Sequence, residues 1–89
     1  MILHTFNSTQ AFAVSGVLVQ EQDHVLFMED GVYCLLDGSM NLASNNIHVL
    51  RPDADARGLS GRISTEFLPA DYGDFVQLCC DADSVCNWF

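Results

Sequence analysis

The chain has 89 residues, which allows one domain over residues 1–89 and no more. With 49% hydrophobic and only 17% charged residues, against a usual ~25% charged, intrinsic disorder is excluded. Three arginines, no lysine and twelve acids give a net charge of −9, which excludes direct binding to tRNA, DNA or an anionic membrane surface.

A chain this small hides roughly 64% of its unfolded surface. Part of the apolar surplus is therefore expected against partner chains. Charged or polar residues interrupt every apolar run well before the ~18 residues of a spanning helix. Met1-Ile2-Leu3-His4-Thr5 lacks the basic start and long apolar stretch of an export signal, so a cytoplasmic protein is expected. In that reducing setting Cys34, Cys79, Cys80 and Cys86 are expected as free thiols.

Along the chain, Ile2 to Phe6 reads as the first strand. Asn7 or Ser8 can cap a helix to about Val19, with Phe12, Val14, Val17 and Leu18 in loosely helical spacing. His24 to Met28 forms the next strand. Asp30 then caps a short helix carrying Val32, Tyr33, Leu35 and Leu36, stopped by Gly38. The polar stretch Gly38 to Asn46 is the expected mobile loop. A third strand covers Ile47 to Leu50, and Asp53, after Pro52, caps a turn or two ending at Gly58. Thr65 to Leu68 forms the fourth strand. Asp71 caps the last helix, with Asp74 in its first turn and Phe75, Leu78 and Cys79 on one face. Val85 to Phe89 is a tail.

The strands are nearly continuous in apolar character, as strands covered on both faces are. Alternation with helices predicts an α/β fold: a small open parallel β-sheet of about four strands with helices on both faces.

Chemistry in such sheets gathers beyond the carboxyl ends of the strands. Those ends carry His4-Thr5, Glu29-Asp30, Arg51 and Asp71. His4 reads as a hydrogen-bonded strand-end residue before it reads as a proton shuttle. Glu29 and Asp30 read as a cap and a solvated acid, since two carboxylates do not define a cation site. Gly16, Gly31 and Gly38 fit no phosphate-binding spacing, so no cofactor is expected. Cys79 and Cys80 sit at the negative end of a helix followed by Asp81 and Asp83, where a thiolate is disfavoured. Cys34 stands in a better electrostatic place but among packing residues. Cys-Cys-x5-Cys lacks zinc-ligand spacing, so no metal is expected. Trp88 and Phe89 either fold back on the core or anchor a partner. The reading contains no catalytic residue.

Several segments carry a resemblance. Leu3-His4-Thr5, the strand and turn from His24 through Glu29-Asp30-Gly31-Val32-Tyr33, Ala56-Arg57-Gly58-Leu59-Ser60-Gly61-Arg62-Ile63-Ser64, Asp71-Tyr72-Gly73-Asp74-Phe75-Val76 and Trp88 together resemble the TusB/DsrH family. The resemblance spans essentially the whole chain. It implies a three-layer sandwich of the DsrE/DsrF/DsrH type and a cytoplasmic sulfur relay. In that relay TusB-like, TusC-like and TusD-like subunits form a heterohexamer, and persulfide sulfur moves towards 2-thiouridine at the tRNA wobble position. The sulfur-carrying cysteine belongs to the TusD-like subunit, so the present chain is expected to be a subunit and not an enzyme on its own. The cysteine that DsrH-like chains carry in their first helix aligns near Ser15, which cannot hold a persulfide. A persulfide carrier in sulfur oxidation and a self-associating binding module, burying Tyr33, Phe75 or Trp88, are the alternatives.

Overall fold

The computed structural model describes residues 1–36 and 42–89. The expected helix stop at Gly38 and the first part of the expected mobile loop lie outside the described residues. Five strands form one parallel sheet in the order β4-β3-β2-β1-β5. They are β1 (Ile2–Phe6), β2 (His24–Phe27), β3 (Asn46–Leu50), β4 (Leu68–Ala70) and β5 (Ser84–Trp88). The helices are α1 (Thr9–Ser15), α2 (Arg51–Ala56) and α3 (Tyr72–Asp81), with 3-10 turns at Gly16–Leu18, Glu29–Leu36 and Ser60–Arg62.

The fifth strand is a correction to the expected tail. Val85 and Trp88 of that tail pair with Leu3 and Phe6 of β1, so the C-terminus completes the sheet beside its first strand. β4 begins three residues later than expected, because Ser64 to Phe67 closes a turn through the Phe67 N–H and the Ser64 carbonyl.

Period-two alternation sorts the strand side chains onto two faces. Phe6, Val25, Phe27 and Val49 pack with Ala11, Val32, Leu35, Ala54 and Leu59 in the larger core. Leu3, Leu26, Leu50 and Ala70 pack with Phe75, Leu78 and Cys79 of α3 in the smaller one. The connections from β1 through β4 all step one way across the sheet, while the one from β4 to β5 returns across it. Right-handed crossovers in opposite directions put their helices on opposite faces. Hence α3 stands alone on its side.

Ser8 caps α1: its extended backbone lets the side chain accept the Ala11 N–H at 3.0 Å. Ser8→Ala should lower stability by about 1 kcal/mol. Urea melts would show it as an earlier midpoint at unchanged slope. The helix ends at Ser15, short of the expected Val19, and continues as a 3-10 turn. Asp71 caps α3 as expected, in a reciprocal capping box with Asp74. Asp53 does not cap α2. Leu50 occupies that position, Asp53 lies in the first turn, and Gly58 follows the helix at φ +68°.

Candidate functional site

His4 is the centre of a buried polar network. Its Nε2 lies 2.9 Å from Asp23 Oδ2, and the Trp88 indole N–H donates to its Nδ1 at 3.1 Å. An indole nitrogen only donates, so Nδ1 accepts and the ring proton sits on Nε2, shared with the carboxylate. Asp23 also accepts the backbone N–H groups of Ile2 and Gln20, each at 3.0 Å. Burial pushes the Asp23 carboxyl up, but the two backbone donors and His4 together hold it below its ordinary 3.8. His4 and Asp23 are 3% and 1% exposed, so no substrate reaches the pair. The network joins β1, β5 and the turn before β2. Trp88 therefore folds back on the core, whereas Phe89 is exposed.

At the carboxyl ends of β2 and β3, the acids hold the chain to itself. Asp53 accepts the Glu29 backbone N–H at 2.5 Å. Asp30 pairs with the Arg57 guanidinium at 3.0 Å instead of capping a helix, and it lies in the first turn of a 3-10 helix that begins at Glu29. Glu29 adopts φ 49°, the left-handed region, at the turn between them. Among the described residues, no three His, Cys, Asp or Glu side chains come together as metal ligands.

The four cysteines are free. Burial, opposed only by its own backbone N–H, pushes the Cys34 thiol up to about 11. Burial, then the neighbouring Cys80, raises Cys79. Both therefore stay protonated near neutral pH, when the thiolate is the form that attacks or accepts sulfur. Cys86 lies on β5 opposite His4, and Cys80 is exposed on α3. Ser15 is buried at the end of α1.

Several features lay outside the sequence reading. Asp23 follows Gln20-Glu21-Gln22 and reads as one more solvated acid, although it is buried. His24 and His48 stack on adjacent strands with ring nitrogens 3.0 Å apart. Val14, Val17 and Leu18, expected along the first helix, are 70%, 85% and 51% exposed. Val14 in the last turn of α1 and Val17 and Leu18 in the 3-10 turn after it thus present an apolar patch. An open cavity of ≈ 350 Å³ between β3, α2 and the segment before β4 is walled by Val49, Ala54, Ile63 and Phe67, with Arg51 and Ser64 among its lining.

A parallel sheet covered on both faces and tied by a sealed polar network defines a small α/β domain. Its family follows from comparison with known proteins. The DsrH-like protein family model matches residues 6–85. The chain is 37% identical over 95 residues to Protein TusB of Escherichia coli O1:K1, covering 98% of this chain and 100% of that protein. It is 36% identical, with the same coverage, to Protein TusB of Shigella boydii serotype 18. The chain belongs to the DsrH-like family.

Proposed function

We propose that the chain is a non-catalytic subunit of a cytoplasmic sulfur-relay complex, one that passes persulfide sulfur towards 2-thiouridine formation at the tRNA wobble position. TusC-like and TusD-like chains are its partners in that reading, assembled as a heterohexamer. The observation that carries it is the placement of Cys34 against the core, in a chain 37% identical to TusB. Half-buried Cys34, packed against the larger core and with its thiol held up to about 11, is a packing residue and not a sulfur acceptor. The apolar patch of Val14, Val17 and Leu18 supports a life in a complex. A net charge of −9 leaves contact with tRNA to another subunit.

The test replaces Cys34, Cys79, Cys80 and Cys86 together with serine and measures 2-thiouridine in tRNA from a strain relying on that variant. Thiolation should remain above about half of wild type once native mass spectrometry shows the complex intact. Loss of thiolation from an intact complex refutes the non-catalytic reading. So does a gain of one sulfur atom on the wild-type chain after incubation with a loaded persulfide donor.

A further inference from the structure

The two faces of the sheet are covered unequally. α1, α2 and the 3-10 turns pack into the larger core, while α3 alone packs into the smaller one. A helix of 10 residues is a rod about 15 Å long and ~10 Å wide. Five strands spaced ~4.8 Å apart span about 24 Å. The rod cannot roof that sheet, and none of its residues is buried.

The centre of that face, at Leu3, Leu26, Leu50 and Ala70, is sealed, but apolar side chains stay bare at its two edges. Leu68 shares the face of Ala70 at one edge of the sheet and is half-exposed, and Val85 shares the face of Leu3 at the other and is also exposed. On top of α3, Tyr72 and Val76 stand one turn apart, 59% and 62% exposed. A groove of ≈ 310 Å³ runs between α3 and β4, with Leu68 and Leu78 as apolar walls and His48, Asp74 and Gln77 as polar ones.

The same face is negative. From Ile63 to Phe89 the chain carries Glu66, Asp71, Asp74, Asp81 and Asp83 and no lysine or arginine. Arg51 lies near Asp71, and the N-terminal ammonium takes Asp83. Among the described residues, Asp74 and Asp81 have only neutral hydrogen-bond donors as direct partners. Burial, then the adjacent His24, holds His48 below its ordinary 6.5 against the pull of Asp74. At neutral pH it is an uncharged wall.

We propose that the α3 face docks a protein partner presenting an apolar helix face edged with lysine or arginine. One basic side chain enters the α3–β4 groove, its stem along Leu68 and Leu78 and its head on Asp74 and Gln77. An arginine or lysine stem suits apolar walls and its head suits a carboxylate. A second copy of this chain fits poorly, because pairing α3 with α3 sets Asp74 and Asp81 against their own kind. The inference rests on the subunit reading above and adds the face and the chemistry of what meets it.

Wild type, Val76→Lys, Val76→Glu and, on the α1 patch, Val17→Lys are each co-expressed with the TusC-like and TusD-like chains of the same host. Complexes are quantified by native mass spectrometry, and circular dichroism melts establish that each exposed-site variant folds. Val76→Lys should weaken assembly tenfold or more, Val76→Glu several-fold less, and added salt should weaken the wild type. Equal losses for Lys and Glu overturn the basic partner. An intact complex with both Val76 variants overturns the face but leaves the subunit reading standing. A homo-oligomer that Val76→Lys dissolves makes the occupant a second copy, against the proposal. No assembly by wild type removes the subunit reading and this inference together.

Discussion

Asp23→Ala is expected to destabilise the fold by about 3 kcal/mol, because it removes the one carboxylate that several donors share. Three donors lose their acceptor at once: the His4 ring N–H and the backbone N–H groups of Ile2 and Gln20. The buried His4 N–H left alone costs on the order of 1–3 kcal/mol, and the part-buried N–H groups of Ile2 and Gln20 add smaller losses. For a domain this small, 3 kcal/mol is a melting-temperature drop on the order of 10–20 °C. Asp23→Asn separates shape from charge. Its amide still accepts from one donor but turns N–H groups towards the others. His4 cannot relieve that by moving its proton to Nδ1, because Trp88 already donates there. The acid range adds a second readout. The folded Asp23 carboxyl sits below its ordinary 3.8, so its stabilisation is fully present above about pH 4 and is lost as pH falls through the lower folded value. Asp23→Asn should be less stable than wild type at neutral pH, and the gap should narrow below pH 4. Urea midpoints measured across pH 2–7 would show it. A gap that is constant with pH would mean Asp23 stays charged throughout or never was.

Much of the fold was legible because each signal was local. The apolar runs at Ile2–Phe6 and His24–Phe27 read as covered strands, and Asp71 read as the cap of the last helix with Asp74 in its first turn. The fifth strand was not legible. Ser84 to Trp88 alternates weakly, and its pairing with β1 spans 82 residues of sequence, which no local pattern records. Asp23 was missed for a related reason: its burial depends on His4, 19 residues upstream, and on donors at both ends of the α1 crossover. Val17 was placed along the first helix by its loose spacing alone, and its exposure shows only once the sheet fixes which side is filled. For the cysteines, the sequence argument against a Cys79 thiolate rested on its late helix position, whereas the structure raises that thiol through burial and Cys80. The packing that silences Cys34 was anticipated from Val32 and Leu35, which the structure buries beside it.

Gly31→Ala is the second large loss. The turn after β2 folds back so tightly that a Cβ at residue 31 would stand 2.1 Å from the Phe6 carbonyl oxygen and 2.9 Å from its carbon. That carbonyl cannot retreat, because it accepts the Met28 N–H at 3.1 Å. Nor can the turn, because the Gly31 N–H is bonded to the Met28 carbonyl at 2.8 Å and Glu29 already spends strain on φ 49°. Relief requires parting β1 from β2 at their carboxyl ends, beside the buried rings of Phe6 and Phe27. The expected cost is about 3 kcal/mol or more, at the upper end for forced overpacking. Gly61→Ala supplies the comparison within the same chain. A Cβ there meets nothing within 4 Å and its backbone is outside the left-handed region, so the change should be neutral or stabilise by up to about 1 kcal/mol. Paired melts of the two variants read the difference directly. A Gly31→Ala melt within a degree or two of Gly61→Ala would mean the turn does not press on β1, and that the Glu29-Asp30-Gly31 sequence is not held by steric need at its glycine.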